Sequence, residues 1–237
     1  MKKYELTAEF IEKWGKKLFR IKALISFGSV EAGELGGYVE KEDNLAQNGN
    51  AWVFDDAWVF DDARVYGNAM VFDDARVYGN ARVYGNARVY GNARVYGNAE
   101  VYGNAEVYGD AEVYGDAEVY GNARVCGNAE VYGNAWVCGN AEVCGNAEVC
   151  GNADYLLIGR IGSRFSFTTF FKNKDKGITV SCGCFLGTIA EFRAKVTDTH
   201  GNNKHAKMYN LAADMAELQI LGEEHFDNLN TNKSEPF

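Results

Sequence analysis

The sequence predicts an all-β solenoid, a chain coiled into a prism of short parallel strands, with dissimilar flanks at its two ends. Three observations carry the prediction. From Ala51 to Asn152 the frame Ala-x-Val-[Tyr/Phe/Cys]-[Gly/Asp]-[Asn/Asp] runs 17 times without insertion or deletion, and a fixed short period is the mark of a stacked-repeat architecture. Within each word Ala and Val share one parity while x and the aromatic share the other, so Ala-x-Val-Tyr reads as a short strand with one small apolar face. Gly-Asn then supplies a corner, because both residues tolerate positive φ.

A meander of hairpins could use the same Gly-Asn turns, but it fails on register. Across a two-residue turn the Tyr before it would share a sheet face with the Ala after it. Successive strands would then send Ala and Val to opposite sides. Turning the chain the same way at every corner keeps all of them inside. If the prism is triangular, three words make a coil of 18 residues, and 17 words make nearly six coils in a rod about 27 Å long. The outward x residues then fall on three rails: Trp52, Met70, Arg88, Glu106, Arg124, Glu142; Trp58, Arg76, Arg94, Glu112, Glu130, Glu148; and Arg64, Arg82, Glu100, Glu118, Trp136, Asp154. Alternation of charge along Arg88, Glu106, Arg124 and Glu142 favours that period, while the other two rails set like charges next to each other. In the same register Cys126 stacks on Cys144, while Cys138 and Cys150 lie on other faces.

Residues 1–50 are predicted to be the N-terminal cap that a solenoid end needs to cover its exposed interior and unpaired backbone. Within it Thr7 is predicted to N-cap a short helix through Trp14, with Phe10, Ile11 and Trp14 on one stripe. Leu18 to Phe27 is read as a strand pair leading into the first imperfect coil. Residues 51–154 form the rod. Residues 155–237 are predicted to be a small α+β domain, with Arg164–Lys172 and Gly177–Phe185 as a hairpin and helical periodicity over Thr188–Thr197 and Asn203–Ile220.

Composition narrows the function classes. The net charge is −9, and both flanks are neutral, so the rod carries the excess. Residues 51–98 hold 5 basic and 6 acidic side chains, and residues 99–152 hold 1 and 9. A broad nucleic-acid footprint needs Lys and Arg there instead, so no nucleic-acid partner is expected. No apolar run spans a bilayer and no signal segment opens the chain, so a cytoplasmic protein is expected. Cys126, Cys138, Cys144 and Cys150 replace tyrosine in the repeated word and are read as free thiols of a reducing compartment.

The residues with chemistry lie mostly in the C-terminal segment. Cys182-x-Cys184 followed by His200-x4-His205 supplies four zinc-type ligands, but Cys-x-Cys in a strand also places two small residues on one face. Structural thiols are the reading adopted, with no metal and no cofactor. His200, Lys204 and His205, with Arg160 and Arg164, form a candidate site for a small anionic ligand, although residues of that kind are also the ordinary content of a solvated connection. His225 has no motif around it. Outward rails of aromatics, with Tyr84, Tyr90 and Tyr96 at their centre, present more apolar surface than a monomer normally leaves bare, so a homo-oligomer is expected.

The Ala-x-Val word resembles the hexapeptide frame of left-handed β-helices. The opening "FRIKALISFGSVEAGELGGYVEKEDNLAQNGNAWV", with Gly-Gly-Tyr-Val at 36–39, is similar to the entry segment of the YdcK-type and phage-associated branch of the bacterial hexapeptide-repeat superfamily. The stretch from Gly162 to Tyr209 resembles a short domain that ends several prophage-encoded proteins. The resemblance implies a left-handed coil and a phage or prophage origin in a bacterial cell. It sets a non-catalytic binding or scaffold protein, acting on a host protein such as a defence factor, against a hexapeptide acyltransferase using acyl-CoA. Those enzymes need a catalytic His near a loop that breaks the repeat, and this array is unbroken and has no His. An acidic DNA-mimicking rod is a further alternative, interrupted by the arginines from Arg64 to Arg94.

Overall fold

A computed structural model of the protein describes residues 2–223. Strand β1 (Tyr4–Lys13) and strand β2 (Lys16–Ala23) form an antiparallel hairpin, and β2 pairs with β3 (Leu35–Val39). Seventeen two-residue strands follow, β4–β20, from Trp52–Val53 to Glu148–Val149. They stack in parallel with partners 18 residues apart, as in Arg88 beside Glu106 and Glu100 beside Glu118. This is a parallel β-solenoid of about six turns with three words to the turn.

One face of the prism is continuous with the N-terminal hairpin in a nine-stranded sheet, and the other two faces have six and five strands. From Ala51 to Val149 every Ala and Val of the rod is buried, in one uninterrupted core. The ends are plugged by larger side chains. Trp52 is fully buried under the edges of Tyr4 and Phe27, and Phe171 enters the same core at the far end with Tyr155 and Leu157 packed against it. Lys3 is buried beside the N-terminal plug. Its ammonium donates to the Ala51 carbonyl at 2.8 Å and lies 4.8 Å from the Phe27 ring centroid, and burial lowers its pKa to about 8.

The corners need glycine for two reasons. Gly103 has φ 73°, and a Cβ there would stand 3.0 Å from the Gly121 nitrogen in the next coil. In the first coils Asp takes the same place. Asp61 and Asp73 have φ 58° and 56°, and their carboxylates accept from the Gly79 and Gly91 amides at 3.1 and 2.9 Å. The side chain that would crowd the next coil is turned into a bond to it. Beyond each corner the Asn side chains form ladders along the rod, Asn50 to Asn68 to Asn86 to Asn104.

The remaining chain forms a four-stranded antiparallel sheet, β21 (Tyr155–Ile161), β22 (Ser166–Lys172), β23 (Ile178–Cys182) and β24 (Phe185–Thr188). Two helices follow, α1 (Ile189–His200) and α2 (Lys204–Leu221). They pack on the sheet around Phe170, Val180, Phe192 and Tyr209. Among the described residues no helix is long and apolar enough to cross a membrane.

Three expectations are corrected. Thr7 to Trp14 is strand and turn, not helix. A register shift between Leu6 and Phe10 breaks the alternation, and the broken parity is what gave Phe10, Ile11 and Trp14 a helical look. The Thr7 hydroxyl accepts from the Glu9 amide at 3.2 Å, a local turn in place of an N-cap. The strand expected over Gly177–Phe185 is cut by a turn at Gly183–Cys184, so Cys182 and Cys184 do not share a strand face. Cys126 and Cys144 are joined as a disulfide with Cα atoms 4.6 Å apart. The stacking that the period predicted brings them together, while Cys138 and Cys150 remain free.

Candidate functional site

The β1–β2 turn has Trp14 and Gly15 at its tip with φ 50° and 75°, the signs of a tight two-residue hairpin turn. A bulky side chain at positive φ is uncommon and costs about 1–2 kcal/mol. Trp14 is nevertheless 65% exposed, so burial of its ring does not offset that cost. The turn hangs the indole over the rod's first coils, where the repeated word departs most from its consensus. Its ring meets Trp58 edge-on at 5.6 Å and Phe60 at 5.5 Å.

Beneath lies a groove of about 500 Å³ lined by Trp14, Lys16, Phe60, Asp61, Arg76, Tyr78 and Arg94. Two of its lining rings are stacked, Phe60 on Tyr78 at 4.9 Å, and Tyr78 continues the stack to Tyr96 outside the groove. Lys16 is held by Asp61 and by Glu40 at 3.1 Å, and these hydrogen bonds, Asp61's foremost, raise its pKa. Arg94 pairs with Glu112 at 3.1 Å. Arg76 has no ion pair among the described residues; its guanidinium lies 4.6 Å from the Trp58 ring and 5.7 Å from Trp14. The groove therefore offers aromatic surface and one guanidinium without an ion-pair partner, the combination that holds a planar or anionic group. The titratable side chains that line it are Lys16, Asp61, Arg76, Tyr78 and Arg94.

The C-terminal candidates are partly gathered. His200 ends α1 and His205 lies in the first turn of α2, with ring centroids 5.8 Å apart, and His200 stacks on Tyr209 at 5.8 Å. The Nδ1 of His205 is buried with no partner among the described residues. Burial pushes the Tyr209 hydroxyl up to about 12, with Cys182 adding to the rise and Arg164 opposing it. Arg160, Arg164 and Lys204 are exposed. Cys182 accepts from the Thr168 hydroxyl at 3.2 Å, while Cys184 is exposed on its turn. Among the described residues no three His, Cys, Asp or Glu side chains are grouped as a metal site would need. His225 lies outside the described residues.

Tyr84, Tyr90 and Tyr96 are half-buried members of stacked rails. Rings 18 residues apart lie 4.8–5.0 Å apart and nearly parallel, as in Tyr84 on Tyr102. A tyrosine hydroxyl donates to the residue 16 positions ahead wherever that residue is Glu: Tyr84 to Glu100, Tyr96 to Glu112 and Tyr102 to Glu118, each at 2.8 Å.

Four segments, 63–78, 75–89, 87–103 and 123–139, match the YdcK Beta solenoid repeat family model. The chain is a β-solenoid repeat protein. All four segments lie in the rod, so neither the Trp14 hairpin nor the C-terminal domain takes part in the match. No curated protein matches the chain. Sequence reasoning missed the groove because it placed Trp14 on a helix. The signal available was the clustering of Trp58, Phe60 and Asp61 in one early word where later words have Arg or Glu, Tyr and Gly.

Proposed function

We propose that this β-solenoid repeat protein is a non-catalytic binding scaffold that receives a planar anionic group in the groove under Trp14. The observation that carries the reading is an exposed tryptophan, held at a costly backbone conformation, beside a guanidinium with no ion-pair partner. The left-handed sense of the coil, a phage or prophage origin and a host protein as the bearer of the bound group belong to the same proposal, and rest on the resemblance of the flanks. Homo-oligomerisation belongs to it as well, supported by the aromatic rails. The acyltransferase reading has less support, because the first histidine of the chain is His200, beyond the rod.

Calorimetry with a panel of aromatic carboxylates and nucleoside phosphates tests the site. Binding should weaken about tenfold on Trp14→Ala and on Arg76→Ala, as loss of one stacking or charge-assisted contact implies, and be unmoved by His205→Ala. Binding lost on His200→Ala or His205→Ala but kept in Trp14→Ala would move the site to the C-terminal domain. Turnover of acetyl-CoA would overturn the non-catalytic reading.

A further inference from the structure

The rod face that bears Arg64, Arg82, Glu100, Glu118 and Trp136 reads as its own complement when reversed. These five outward residues are successive rungs of one sheet. A two-fold axis lying in the face between Arg82 and Glu100, perpendicular to the rod, sets Arg82 opposite the second copy's Glu100 and Arg64 opposite its Glu118. Arg64 and Glu118 have no ion-pair partner among the described residues. Arg82 and Glu100 pair at 3.1 Å within the chain, and both remain at the surface to join a four-membered network.

The same axis carries Trp136 one rung past Arg64. Trp136 is 50% exposed. The chain leaves a gap at that rung. Leu45 bridges Val65 as the next inward residue, Asn44 beside it is buried, and Ala46 stands where the rail below would carry a tyrosine. The result is a recess of about 410 Å³ lined by Asp43, Ala46, Arg64, Val65, Tyr66 and Arg82. It has room for an indole and places Arg64 beside it. The C-terminal sheet reaches back along the rod to Glu130 and Glu142, which lie on the other two faces. On this face the chain that follows touches the last rung through its backbone, the Trp136 amide donating to Asn152 at 2.7 Å while the indole stays half-exposed.

We propose that two copies of the chain associate antiparallel through this face, each Trp136 seated in the other's Ala46 recess and each arginine pair facing the other's glutamate pair. The proposal rests on the homo-oligomer reading and specifies its geometry. A parallel pairing of the same faces would set Arg against Arg and Glu against Glu at four of the five rungs, which is repulsive. The face is small, roughly five rungs of about 4.8 Å by one strand width. It falls at the low end of interface sizes, so the dimer should be weak and sensitive to salt.

Sedimentation equilibrium of the full chain tests this. The wild type should dimerise at low salt and lose affinity about tenfold or more as salt screens the pairs. Arg64→Glu with Arg82→Glu should give a monomer, and Glu100→Arg with Glu118→Arg should do the same. An equimolar mixture of the two variants should dimerise. The single chain carrying all four changes should dimerise with itself, because reversing every charge preserves the complement. Trp136→Ala should weaken the wild-type dimer about tenfold. Circular dichroism checks that each variant keeps its fold, and restoration in the fourfold variant guards against misfolding as the cause of any loss. A wild-type monomer at every concentration would overturn both the homo-oligomer reading and this geometry. A dimer that survives the double reversals but is lost on Leu211→Glu would keep the homo-oligomer and overturn the geometry, placing the contact on the exposed Met208, Leu211, Met215 and Leu218 stripe of α2.

Discussion

The first coils of the rod and the last share one interior and differ on the outside. Inside, Ala and Val are buried from Ala51 to Val149 without exception. Outside, the first coils carry Trp, Phe, Arg and Asp corners, and the last carry Glu, Cys and Gly corners. The interior is fixed because each rung must pack on the identical rung above and below, where a change of one methylene is felt. The exterior is under no such constraint. Function is therefore to be read on the outside: the groove gathers around Phe60 and Asp61, which depart from the commonest word, and the self-complementary face is written in the variable x position, with Trp136 as its one departure.

The sharpest local difference is covalent. The last coils hold the Cys126–Cys144 disulfide, which closes one coil, and the first coils have no counterpart. In the chain-entropy account a loop of this length contributes about 3 kcal/mol. Changing both residues to Ser should lower unfolding stability by up to that amount. Hydrogen exchange should place the loss in the coils from Ala123 to Val149 and leave the first coils unmoved. A uniform loss along the rod would mean the coils unfold as one unit, and the comparison between ends would carry no energetic meaning.

The corners give the next effect. Gly103→Ala must place a Cβ 3.0 Å from the Gly121 nitrogen at φ 73°. With the left-handed backbone and the crowding together it should cost about 2 kcal/mol. Gly103→Asp is larger and should cost less, below about 1 kcal/mol. Asp tolerates this backbone region, and its carboxylate can accept the Gly121 amide as Asp61 accepts Gly79. Urea unfolding of both variants checks the order. If Asp proves worse than Ala, the corners of the first coils depend on neighbours special to that end, such as the pairing of Lys16 with Asp61.

These contrasts also mark what could be read from the sequence. The 18-residue register, the buried Ala and Val, the Cys126–Cys144 stack, the hairpin through Phe170 and Val180 and both C-terminal helices follow from periodicity, because each is repeated or local. The β1 strand was not legible, since one register shift beside Thr7 exchanges a period of two for something close to a helical one. The groove was not legible either. Trp14 meets Phe60 and Arg76 only because the hairpin joins the same sheet as Trp58, a pairing of residues far apart in the chain. The tyrosine–glutamate rule was within reach, since the 18-residue register sets every rod Glu but Glu142, which follows Cys126, beside the tyrosine 16 positions earlier, yet reading x and Tyr as separate rails hid it.

The smallest effect concerns those tyrosines. Tyr114 lies beside Glu130, its hydroxyl donating at 3.1 Å, and burial together with that bond pushes it up to about 12. Tyr78 in the first coils faces Arg94 instead. Burial raises it too, but the guanidinium works against the rise. A phenol whose folded pKa is raised keeps its proton when the unfolded chain has lost it. The contribution is therefore intact below the ordinary tyrosine value near pH 10 and is lost as pH climbs toward about 12. Stability should fall with pH across that window, and Tyr114→Phe should flatten the slope more than Tyr78→Phe does. Glu130→Gln should flatten it as well, since the amide still accepts the hydroxyl but no longer repels the phenolate. Urea midpoints measured between about pH 9 and 11 would show this. Equal flattening from Tyr114→Phe and Tyr78→Phe would mean that stacking alone sets the phenols, and that the change from arginine to glutamate along the rod matters at its surface and not to its stability.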